Sequence, residues 1–113
     1  MAFTSDLVID RGIAKITLTG ELDAQAATDF RGDVERAANQ KVRKLVLLME
    51  GLGYMSSAGL RAIVYAKQKM GAQTDVYVVG ANDGINETLE LTGFSNSVIS
   101  LPAYDASIIE PRS

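Results

Sequence analysis

Between Ile13 and Thr19 the chain alternates strictly: Ala14, Ile16 and Leu18 fall on one side, Lys15, Thr17 and Thr19 on the other. A period of two with β-branched residues predicts a half-buried strand. Leu7-Val8-Ile9 before it reads as a short strand, and Asp10-Arg11-Gly12 is a turn tight enough to pair the two antiparallel. Gly20 is expected to end the alternation. The period then lengthens: Ala27, Phe30, Val34, Ala37 and Ala38 share one helix face, with Asp23 placed to cap its start and Asn39 suited to its end. Leu45 to Met49 shows no alternation, which predicts a central strand covered on both faces. Gly51 and Gly53 read as a turn after it. From Ser57 to Met70, Leu60, Ile63, Val64, Lys67 and Met70 read as a helix that Gly71 stops. Val76 to Val79 is a further strand. Asn82 caps a short helix carrying Ile85 and Leu89 and ended by Gly93. Val98-Ile99 reads as an edge strand, and the tail from Asp105 as one turn of helix before Pro111.

Strands that alternate with helices favour parallel pairing through crossovers. The predicted class is therefore α/β: one domain over residues 1–113, with a mixed, mostly parallel sheet of four to five strands. A β-hairpin opens it and three to four helices cover it. Of the 113 residues 47% are hydrophobic and 22% charged, the balance of a globular chain. Net charge is −3, from 11 basic and 14 acidic residues. No Lys/Arg stripe offers a nucleic-acid footprint. Cysteine and histidine are absent, which excludes disulfides, Cys/His zinc sites and any triad with an imidazole base. Met1 to Asp6 shows no signal-peptide pattern and no apolar run approaches a membrane span, so a cytoplasmic protein without membrane insertion is expected.

Three candidate chemistries lie around residue 55. Gly51-Leu52-Gly53-Tyr54-Met55-Ser56 sits between strand and helix like a dinucleotide-binding turn, but serine replaces the third glycine. The acidic residue that should end the next strand is also missing, and no Walker pattern occurs. A nucleophilic Ser57 would need a base within hydrogen-bond reach, and Lys67 lies nearly three helical turns away. Glu21 and Asp23 are two apart in a loop, where capping by Asp23 outweighs acid–base work. The serine pair itself remains. Ser56 or Ser57 can cap the helix, worth about 1 kcal/mol, or carry a phosphate that the electropositive helix start helps to hold. Gly59 in the first turn would clear bulk for a close approach. Cap and regulatory site are both open on these residues.

Four segments then carry a resemblance. Gly20-Glu21-Leu22-Asp23, Leu45-Val46-Leu47 through Gly51-Leu52, Tyr54-Met55-Ser56-Ser57-Ala58-Gly59-Leu60 and Leu89-Glu90-Leu91-Thr92-Gly93-Phe94 occur in the order and spacing of STAS domains, and nearly the whole chain resembles the bacterial anti-sigma factor antagonists. The resemblance implies a non-enzymatic binding protein without a cofactor, switched by serine phosphorylation. Alignment on Gly59-Leu60 places the phosphoacceptor at Ser57, with Ser56 as the alternative. Ser56 stands where that family usually has Asp, Ala58 where it has Ser or Thr, Leu48 in place of another Asp, and Glu50 in place of Ser.

The implied partners are an anti-sigma factor serine kinase of the histidine-kinase-type ATPase fold and a PP2C-type phosphatase. In the unmodified state the chain would sequester the kinase and so regulate transcription. Contact would come from Asp23, Tyr54, Met55, Ser56, Gly59, Leu60 and Arg61. The alternative is a constitutive STAS subunit of a signalling or transport complex, in which Ser57 only caps. Nucleotide binding at the same loop is a third reading.

Overall fold

The hairpin forms as the alternation predicts. In the computed structural model, which describes residues 2–111, β1 (Thr4–Asp10) pairs antiparallel with β2 (Ile13–Leu22) across Arg11-Gly12. The chain continues through α1 (Ala24–Asn39), β3 (Lys44–Met55), α2 (Ser57–Met70), β4 (Asp75–Val79), α3 (Asp83–Leu91), a 3-10 turn (Phe94–Ser97), β5 (Ile99–Leu101) and α4 (Ala106–Ile109). The five strands lie in chain order, β1-β2-β3-β4-β5, and every pair after the first is parallel.

Two expectations are corrected at the strand ends. Gly20 does not end β2, and Gly51 and Gly53 are not a turn: both strands run on, pairing Thr19 with Gly51, Gly20 with Leu52, Glu21 with Tyr54 and Leu22 with Met55. Register shifts between Thr17 and Thr19 and between Gly20 and Glu21 accommodate the glycines. At Gly51 the missing side chain is required, since a Cβ there would stand 2.8 Å from the Thr19 methyl. Leu22 and Leu52 hold the extension down, both buried against the helix side of the sheet. Glycine breaks a hydrophobic pattern, but two glycine-bearing segments side by side still complete a ladder.

The apolar run of β3 divides between two cores. Leu45, Leu47 and Met49 pack with Phe30 and Val34 of α1 and Ala62 and Ile63 of α2. Val46 joins Ile13, Tyr77 and Val79 on the far face, where the covering side chain is Ile109 of α4. Lys44 Nζ donates to the Ile109 carbonyl (2.7 Å), and Glu110 accepts from Lys15 Nζ (3.3 Å) and from the Tyr104 hydroxyl. On the helix side, buried Asp33 accepts from Ser5 Oγ (2.5 Å) and pairs with Arg36, tying α1 to β1. No helix of the described residues is long and apolar enough to cross a membrane.

Candidate functional site

Three parallel strands end at the same edge of the sheet, and each runs into a helix through a side-chain cap. Asp23 accepts from the Ala26 amide (2.9 Å), Ser56 from the Gly59 amide (3.2 Å) and Asn82 from the Ile85 amide (2.9 Å). These bonds satisfy donors that a helix start otherwise leaves unpaired. They also bind the edge together. Ser56 Oγ donates to the Leu22 carbonyl (3.2 Å), which also accepts from the Ser56 amide (3.0 Å). Asn82 Nδ2 donates to the carbonyls of Gly53 (3.3 Å) and Leu52 (3.4 Å). The pairing of Leu22 with Met55 therefore sets the starts of α1 and α2 side by side, and Asn82 fixes α3 to the same end of β3.

The two serines divide the roles that the sequence left open. Ser56 is the cap: half-buried, its hydroxyl donates to β2 and accepts from α2. Ser57 is the first residue of α2, exposed, and its hydroxyl has no hydrogen-bond partner among the described residues. A phosphate there would lie beside the free amides of the helix start. An Asp at position 56 could keep the bond from Gly59 but, when ionised, could not donate to the Leu22 carbonyl. Serine does both without a charge.

Gly59 is reassigned. It is buried, and a Cβ on it would stand 2.4 Å from the Leu22 carbonyl oxygen and 2.9 Å from Leu22 Cγ. The clearance seen in the sequence is thus used inside the chain, where α2 leans on the end of β2, and Gly59 offers no surface to a partner. Leu60 and Met55 are half-buried against the main core. Tyr54 (51% exposed), Ser57, Arg61 and Asp23 form the open surface.

Two hollows open at this end of the sheet. One, of about 240 Å³, lies over the α1 start between Phe3, Glu21, Asp23 and Asp29. The other, of about 200 Å³, lies between Tyr54, Met55, Asn82 and Ile85. Sequence reasoning missed Glu21 and Asp29 as rim residues, and it saw Asn82 as a cap without its two bonds to β3. The signal for Asn82 was an amide where a carboxylate would cap equally well: only the amide has N–H groups to donate.

The arrangement does not support the enzymatic and nucleotide readings. Gly51 and Gly53 belong to a paired strand, so no phosphate-cradling turn exists there. Lys67 donates to the Thr74 carbonyl (3.0 Å) and stands well away from Ser57 along α2. Among the described residues no cluster of carboxylates able to hold a metal ion occurs.

Among solved structures, the chain is similar to an anti-sigma factor antagonist from Mycobacterium paratuberculosis, with a TM-score of 0.86 at 20% identity over 99% of this chain and 96% of that one. It is also similar to SpoIIAA, an anti-sigma factor antagonist, in its unphosphorylated form (TM-score 0.76, 20% identity, 96% of each chain). The phosphorylated form of SpoIIAA, a Bacillus cell fate determinant, matches with a TM-score of 0.73 at 21% identity over 96% of this chain and 97% of that one. Identities this low establish a shared fold. The family model of the STAS domain matches residues 4–107, and the chain belongs to the STAS domain family.

Proposed function

We propose that this protein is an anti-sigma factor antagonist whose binding is switched by phosphorylation of Ser57. The observation that carries the reading is the division of labour at the start of α2. Ser56 takes the structural bonds, so Ser57 keeps an exposed, unengaged hydroxyl at an electropositive helix terminus. The likeness to antagonists, one of them known in phosphorylated and unphosphorylated forms, supports it.

The unmodified protein acts in the cytoplasm and docks on an anti-sigma factor serine kinase of the histidine-kinase-type ATPase fold, which frees the sigma factor. Tyr54, Arg61 and Asp23 supply the open contact surface, with Met55 and Leu60 beneath. The kinase transfers the γ-phosphoryl of ATP to Ser57 Oγ, the hydroxyl proton leaves and ADP is released. A PP2C-type phosphatase removes the phosphate: water attacks the phosphorus, the bond to Ser57 Oγ breaks, and the free hydroxyl and inorganic phosphate are released. The phosphate adds about −1.5 to −2 charges. Ser57 lies at a terminus that tolerates anions, so the fold holds while the docked interface does not. A loss of about 3 kcal/mol weakens association more than a hundredfold.

Two measurements test this. Mass mapping after incubation with the kinase and ATP should place the label on Ser57; label confined to Ser56 would overturn the assignment of Ser57, and label confined to residues other than these two would overturn the reading. By calorimetry, Ser57→Asp should bind the kinase at least a hundredfold more weakly than the wild type, and Ser57→Ala should bind normally. Undiminished binding by Ser57→Asp would instead favour a constitutive STAS subunit.

A further inference from the structure

Arg61 stands apart from the other described arginines. Arg11 pairs with Asp10 (3.3 Å), Arg36 pairs with Asp33, Arg43 donates to the Arg11 carbonyl (3.5 Å) and Arg31 lies over the Tyr65 ring (5.2 Å). Arg61 is exposed and has no ion-pair, hydrogen-bond or aromatic partner among the described residues.

Its own helix explains why. The sequence of α2, SAGLRAIVYAKQKM, contains no Asp or Glu. Residues three and four apart share a helix face, with Cβ atoms about 5–6 Å from each other. Around Arg61 those positions are Ser57, Ala58, Val64 and Tyr65. The Tyr65 hydroxyl is already given to Glu35 (2.9 Å), and its ring is covered by Arg31. Ser57 is thus the one polar neighbour on that face whose side chain is unengaged.

We propose that Arg61 is the counter-cation of phosphorylated Ser57. This is a positioning role and it rests on Ser57 being the acceptor. One turn along α2, the guanidinium reaches back to the phosphate and donates two parallel N–H bonds to its oxygens, a match of fork to oxyanion that an ammonium does not reproduce. The amides of the helix start meet the phosphate from its other side. The modification then acts twice. It adds negative charge at the docking surface, and it withdraws from that surface the guanidinium that the unmodified protein offers to a partner.

The test needs no kinase. Phosphoserine is installed at position 57 by codon reassignment, and its second ionisation is followed by phosphorus NMR against pH. The dianion paired with Arg61 ionises more readily, so in the Arg61→Gln variant the second pKa should rise by about 0.2–0.4 unit. Glutamine keeps the helix propensity. Arg61→Lys should restore only part of the shift, and 1 M salt should shrink it. Second pKa values agreeing within about 0.1 unit between wild type and Arg61→Gln would overturn the pairing. Mass mapping that places the natural label elsewhere would overturn the acceptor assignment of Ser57, while the phosphorus titration still reads the pair itself.

Discussion

On the helix side of the sheet, Leu45, Leu47 and Met49 meet Phe30, Val34, Ala62 and Ile63, all closed off from water; on the far side, Val46, Tyr77 and Val79 meet Ile109 as their only fully buried cover among the described residues. The first interface is made by two helices of 16 and 14 residues. The second is made by a helix of 4 residues held through side-chain pins from Lys15, Lys44 and Tyr104. A helix that short has no stability of its own. The helix side is therefore fastened by apolar area, and the far side by one buried side chain and a few polar bonds. Ser57, the proposed phosphoacceptor, belongs to the better-anchored half, since it begins α2. A switch carried on a rigid element changes charge without moving the backbone.

The largest effect that would test this comparison is in the main core. Phe30→Ala should lower global stability by about 3–5 kcal/mol, read by denaturant unfolding. Ile109→Ala removes the far-face anchor, but α4, a short strap across that face, can lift and let water in, so the loss should stay near about 2 kcal/mol, the low end for such a deletion. Amides of α4 should then exchange freely while those of β3 stay protected. Equal global losses from the two variants would make the faces one cooperative unit and break the distinction.

A smaller pair of changes sharpens it at the edge. Ser56→Ala removes the cap of α2 and the donor to Leu22, and should destabilise by about 1 kcal/mol. Ser57→Ala removes a hydroxyl without a hydrogen-bond partner among the described residues and should stay within about 0.5 kcal/mol of the wild type. Thermal unfolding separates them. A reversed order would mean that Ser57 carries the cap after all.

How much of this was legible in the sequence follows from what each residue contacts. The hairpin, α1 with Asp23 and α2 with Ser57 at its first position were readable because local period and capping chemistry agree with the final packing. The continuation of β2 and β3 was not, because Gly20, Gly51 and Gly53 weaken each strand separately, and only their pairing across the sheet restores the ladder. The burial of Gly59 was hidden for the same reason: its contact is Leu22, on another strand. The second bond of Ser56, to the Leu22 carbonyl, was hidden as well, since that partner lies on β2, a long-range fact that spacing along α2 does not contain. The strap left a trace in Ile108-Ile109, an apolar pair in a polar tail, but the sequence did not say which face Ile109 covers.

The pins of the strap carry protons, and the contacts of Leu45 and Leu47 do not, so pH should distinguish the two faces even where mutation is mild. The Tyr104 hydroxyl, and next to it the Lys15 ammonium, hold Glu110 below its ordinary carboxylate value. A depressed folded value means that this contribution is complete above the ordinary value and is lost as pH falls through the lowered one. Lys15 is held above its ordinary value by the Tyr104 hydroxyl and then by Glu110, with burial opposing. Burial, and then the Glu110 carboxylate, raise Tyr104. Both of these contributions are complete below the ordinary values and are lost as pH rises through the raised ones. The strap should therefore be fastened best around neutral pH and loosen toward acid and toward strong base. Methyl NMR reads this directly: the Ile109 resonance should titrate in the acid range while that of Leu47 stays still. Glu110→Gln should shrink the acid step, leaving the part due to Asp105, whose carboxyl the Ser107 hydroxyl and amide hold below its ordinary value at the start of α4. An acid step undiminished in Glu110→Gln would remove Glu110 from the pins, and a Leu47 resonance that titrated in parallel would mean that protons reach both faces of the sheet alike.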